Sequence, residues 1–84
     1  MSLKLERVIT IFEREEDDKY QGKIVINQIP LNVLQDQFGI SSDNPMYDCY
    51  EIEEKQKKFF KEKYGIELDL DRYIYYVECY SVDE

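Results

Sequence analysis

Apolar and polar positions along this chain recur with two different periods, and the switches between them divide it into successive elements. From Leu3 to Arg14 (LKLERVITIFER) β-branched and apolar residues dominate, with Val8, Thr10 and Phe12 on one side of an extended chain and Ile9 and Ile11 on the other. That pattern predicts a first strand. Glu15 to Lys19 is a polar turn, read as a solvated hairpin tip. Tyr20 to Ile29 resumes the two-residue period around Ile24-Val25-Ile26, so the two runs predict an antiparallel hairpin. Gly22 marks a bulge in its second arm, and Pro30 ends that arm because it has no N–H to give the ladder.

The period then lengthens. Leu31, Leu34 and Phe38 are spaced as on one face of a short helix, Asn32 with Gln35 can form a reciprocal N-cap pair, and Gly39-Ile40 fits a left-handed C-cap with an apolar residue folding back. Ser41 to Tyr50 reads as a loop passing into one short strand. From Ile52 to Tyr64 the chain predicts a surface helix with Ile52, Phe59, Phe60 and Tyr64 on its buried side. Glu53/Lys57, Glu54/Lys58 and Lys58/Glu62 sit four apart on that helix, and Gly65-Ile66 repeats the cap.

The final run, Arg72 to Val82, is a strand with no polar face. Tyr73, Tyr75, Val77 and Cys79 share one side; Ile74, Tyr76, Tyr80 and Val82 share the other with Glu78. Such a strand belongs inside a sheet with apolar cover on both sides. The whole predicts a single α+β domain over residues 1–84: a small antiparallel sheet of three to four strands in the order β-β-α-(β)-α-β, with two helices. The C-terminal strand is expected beside the first, with both helices on one face. Its other face then lacks cover unless a loop, a second copy or a partner supplies it, which makes that tyrosine face a candidate interface.

Charge changes the picture more than composition does. The net charge is −8, and the signs are segregated. Residues 24–54 carry six acids and no Lys or Arg, residues 55–63 carry five lysines and one acid, and residues 64–84 carry six acids and one arginine. The basic run has a structural reason, since lysines near a helix end complement its dipole. The whole-molecule field repels nucleic acid and anionic membranes and speeds encounter with a basic partner. The first residues hold charges at Lys4, Glu6 and Arg7 and no apolar run long enough for a signal sequence or a span, so a cytoplasmic protein is expected.

Catalytic chemistry is hard to assemble from these residues. There is no histidine, and Cys49 and Cys79 lack any metal-ligand spacing, so they read as reduced structural thiols. Cys49 lies among Asp48, Glu51 and Glu53, anions that disfavour a thiolate. Asp69 and Asp71, two apart on one strand face, lack the loop ligands of a calcium site, and the three glycines are isolated, with no phosphate-cradling loop. No catalytic residue, cofactor or metal is expected, and the protein is read as a non-enzyme.

One stretch carries a resemblance. Leu31-x-x-Leu34-Gln35-x-x-Phe38-Gly39-Ile40, followed by Asp43-x-Pro45-Met46-Tyr47-Asp48-Cys49-Tyr50, resembles a family of short acidic bacterial proteins. Some of these look like immunity proteins of contact-dependent growth inhibition and related polymorphic toxin systems. The resemblance implies a cytosolic antitoxin-like inhibitor that occludes a cognate toxin domain, often a nuclease. The box also has a structural reading, with Pro45 setting the loop and Met46 and Tyr47 packing on the sheet. The expected partner contacts are Asp43, Tyr47, Asp48, Tyr50, Glu51, Glu67, Asp69, Asp71 and Tyr73, chosen for charge and tyrosine placement. The alternatives are a homo-oligomeric module, such as a homodimer paired through its tyrosine face, and an adaptor for a basic host protein.

Overall fold

The computed structural model describes residues 3–16 and 19–83. The elements follow in the order β1 (Leu3–Glu13), β2 (Lys19–Val25), α1 (Leu31–Phe38), β3 (Tyr50–Glu51), α2 (Glu54–Tyr64) and β4 (Tyr73–Asp83). They build the expected α+β domain, with two helices and a four-stranded antiparallel sheet in the spatial order β2-β1-β4-β3. Asp17 and Asp18 of the predicted hairpin tip, and the Val82 side chain, lie outside what is described.

β1 and β4 form the middle of the sheet. Their ladder runs unbroken from Leu3↔Asp83 to Glu13↔Tyr73. β2 pairs with β1 through one irregularity, where Ile11 faces Gly22 but Phe12 faces Tyr20. Gly22 sits there at φ 148, so the predicted bulge falls where a side chain would be strained. The arm is shorter than its pattern implied. It ends at Val25, and the Ile29 N–H turns back to the Ile26 carbonyl, 3.0 Å away.

Both helices cover one side of the sheet. Ile9, Tyr75 and Val77 from the strands meet Leu34 of α1, Phe60 of α2 and the connecting residues Ile26, Ile29, Met46, Ile52 and Leu68 in one buried cluster. Full burial of each large side chain contributes about 1.5–3 kcal/mol. The other side carries no helix among the described residues, as expected from placing both helices on one face, although the two-faced pattern of the final strand asks for apolar cover there. Val8 and Thr10 are nevertheless fully buried there, because neighbouring side chains of the same face lie over them. Phe12 meets Tyr20 and Tyr76 edge-on at 5.7 and 5.8 Å.

Two predicted details fail, for the same reason. Asn32 and Gln35 do not cap α1, because Pro30 occupies the N-cap position and Gln35 is buried. The Gln35 amide instead donates to the carbonyls of Ser42 and Asn44, at 3.3 and 2.6 Å. The reciprocal cap occurs on α2, where the Glu53 N–H donates to Gln56 Oε1 at 3.0 Å. Helix α2 therefore starts at Glu54, and Ile52 is a buried residue of the connection whose N–H donates to the Tyr75 carbonyl at 2.9 Å. In each case a buried glutamine found a long-range carbonyl or a different helix end. Gln56 Nε2 reaches the Gln37 carbonyl at 3.0 Å and so ties α2 to the last turn of α1. The two glycine caps form as expected, with Gly39 and Gly65 both at φ 65.

Phe60 anchors α2 on the sheet, fully buried. Phe60→Ala is expected to lower unfolding free energy by about 3–5 kcal/mol, a large share of what a domain this size holds. Urea denaturation followed by circular dichroism would measure it.

Candidate functional site

Arg7 lies on β1 among the positions that face the helices, and its guanidinium solves a problem of the loop after α1. It donates to the carbonyls of Met46 and, at 3.0 Å, Pro45. Met46 adopts φ 55, unusual for a residue with a side chain, while its thioether is fully buried. Its N–H is held by Asn44 Oδ1 at 2.9 Å, and the Asn44 carbonyl in turn receives Gln35. The loop is thus braced from β1 on one side and from α1 on the other. Its outward side chains are Asp43, Tyr47 and Asp48, all exposed. Tyr47 is 61% exposed, so the packing role expected of it falls to Met46 alone.

The same strand braces a second loop at its far end. Arg14 Nε donates to the Leu70 carbonyl at 3.1 Å, its Nη2 to that of Tyr73 at 3.4 Å, and its own N–H to that of Arg72 at 3.0 Å. Asp69 and Asp71 stand in this turn, not on a strand face as expected, and the Asp71 N–H donates to Asp69 Oδ1 at 3.2 Å. The Tyr75 hydroxyl accepts the Asp69 N–H at 2.9 Å. Burial pushes the Tyr75 phenol up, and that N–H only partly offsets it. Lys57, Lys61, Glu67, Leu68, Asp69, Tyr73 and Tyr75 line an open groove of about 450 Å³.

The nine expected contact residues therefore fall into two groups. Asp43, Tyr47 and Asp48 project from the first loop, with Tyr50 and Glu51 following on β3; Tyr50 is half-buried, its ring centroid 6.0 Å from that of Phe38. Glu67, Asp69, Asp71 and Tyr73 gather at the second. Tyr73 is also half-buried, with the Arg72 guanidinium 5.0 Å from its ring centroid. Arg7 pairs with Cys79 and Glu13 with Tyr73, six residues apart along the ladder, which separates the two loops by roughly 20 Å. They are not one patch.

Arg7 and Arg14 were not singled out from the sequence. Arg7 did leave a signal: it occupies the face shared by Ile9 and Ile11, and an arginine aimed inward needs carbonyl or carboxylate partners. Cys49 is exposed beside Glu78. Partial desolvation and then the Glu78 carboxylate push its thiol up, so the thiolate is disfavoured as expected, though by a different anion from those adjacent in sequence. Among the described residues no three metal-ligating side chains converge, and no helix is long and apolar enough to cross a membrane.

A family model described as Domain of unknown function (DUF7683) matches residues 6–78. Comparison with curated proteins and with solved structures returns no match.

Two measurements test this geometry. Arg7→Ala is expected to cost about 1.5–3 kcal/mol in urea denaturation, since two carbonyls lose a charged donor, and to speed amide exchange in residues 44–47. Alkylation of Cys49, read by mass spectrometry across pH, is expected to rise only above the pH at which an ordinary thiol reacts. Glu78→Gln should move that rise to lower pH.

Proposed function

The chain belongs to the family of the Domain of unknown function (DUF7683), and for it we propose the role of an immunity protein, a binding protein and not an enzyme, that neutralises a basic toxin domain. The observation that carries this reading is the braced loop over residues 43–48. It presents Asp43, Tyr47 and Asp48 outward on a backbone held by Arg7 and Gln35. A loop already fixed loses little conformational entropy on binding, so more of its contact energy becomes affinity.

The chemistry of the partner follows from the charge. A nuclease must offer a basic cleft to its phosphates, and carboxylates on a rigid loop are suited to fill it. The net charge of −8 accelerates the encounter, and Tyr47 supplies a large ring with a polar tip at the centre of the contact. Glu67, Asp69 and Asp71, roughly 20 Å away along the sheet, engage only a partner broad enough to span that distance. The inhibitor acts in the cytoplasm of the cell it protects.

Growth is the decisive readout. A toxin-sized segment encoded immediately upstream, expressed from an inducible promoter, is expected to arrest cells and to be relieved by co-expression of this chain. Harmlessness of that segment, or arrest the chain does not relieve, would sink the proposal. With the partner in hand, Asp43→Asn with Tyr47→Ala and Asp48→Asn should weaken binding by about 100-fold or more. The triple change Glu67→Gln, Asp69→Asn, Asp71→Asn should weaken it less, and mostly through the association rate.

A further inference from the structure

The helix-free side of the sheet differs from the rest of the surface in both polarity and charge. Its centre is apolar: Phe12, Tyr20 and Tyr76 form an edge-to-face aromatic group, with Ile74 beside Phe12 in the ladder and Val25 beside Val8. Tyr20 is 53% and Val25 44% exposed, large apolar groups left in water with no layer over them among the described residues.

The charges on this face nearly cancel. Lys4 and Lys23 stand on it against Glu6, Glu51 and Glu78. Lys23 Nζ lies 2.7 Å from Glu6 and 6.0 Å from the Tyr80 ring centroid, and Glu78 accepts the Thr10 hydroxyl. The excess of acid over base that makes the net charge −8 thus lies almost wholly off this face, in the loops, while α2 with its five lysines is basic. A basic partner is drawn to those loops. A second, equally acidic copy is repelled by those loops but not by this face, which is nearly neutral and apolar.

We propose that the open sheet face pairs with the same face of a second copy, forming a two-fold symmetric dimer with the acidic loops pointing away from the contact. In such an arrangement every contact across the axis is made twice, residue i of one copy meeting j of the other and j meeting i. Three strands of this length offer on the order of 1,000 Å² in total across two copies, at the low end of specific interfaces, so the dimer is reversible with a Kd on the order of micromolar. This holds whether or not the partner is a toxin, because it uses none of the loop residues.

Sedimentation of the wild-type chain from about 1 to 500 µM tests it directly. The expected result is a mass rising from one chain to two. Tyr20→Asp and Val25→Asp, each at an exposed position, should raise the dimer Kd at least about tenfold, because each places the same new charge twice in one contact; Asp43→Asn should leave it unchanged. A single-chain mass throughout overturns the proposal, and so does a dimer indifferent to both substitutions. Should either variant fail to fold by circular dichroism, amide exchange of the wild type at the two ends of the range decides. Slowing at residues 20–25 on concentration supports the pairing, and slowing confined to other segments overturns it.

Discussion

Eighty-four residues supply enough helix to cover one side of a four-stranded sheet and not two. The consequence falls on β4, which, like β1, carries bulky apolar side chains in both directions. Tyr75 and Val77 turn toward the helices and disappear into the core, while Ile74 and Tyr76 turn the other way, Tyr76 against Phe12. Everything distinctive about the molecule follows from that asymmetry. The covered face sets stability, through Phe60, Leu34 and Ile9. On the open face Val8 and Thr10 are still fully buried, Phe12 packs edge-on against Tyr20 and Tyr76, and Lys23 pairs with Glu6.

The same economy governs the loops. With little chain to spare, β1 serves as both a central strand and an anchor: Arg7 holds one loop and Arg14 the other, each through main-chain carbonyls. With carbonyls as its ligands Arg7 takes up none of the loop carboxylates, although Asp43 accepts the nearby Ser41 hydroxyl. Asp43, Tyr47 and Asp48 therefore remain outward on a backbone that is itself well tied down, which is the physical condition for a surface that recognises without first having to order itself.

Much of this was legible in the residues. Two-residue periodicity placed β1 and β4, their pairing and the exposed aromatic face; Gly22, Gly39 and Gly65 marked the bulge and both helix ends. What escaped was long-range and polar. Gln35 read as the capping partner of Asn32, and only the fold decides that it reaches Ser42 and Asn44 instead, while Gln56, which the sequence reading did not single out, caps its own helix. Likewise, a list of acids gives no hint that two groups of them stand at opposite ends of a ladder, because nothing local records that Arg7 opposes Cys79 and Glu13 opposes Tyr73. The grouping of the candidate site was thus the least readable part, although most of its members are indeed at the surface.

The central β1–β4 ladder joins residues sixty to eighty positions apart in the chain. Loop closure over such distances is slow, and nothing in the first two-thirds of the sequence can complete the core without Tyr75 and Val77. On a ribosome, therefore, the hairpin and α1 wait with Ile9 and Leu34 unburied until the last strand has emerged. Folding thus waits for β4 to close the sheet, and a chain stopped short of β4 is a substrate for proteases and not a smaller version of the protein.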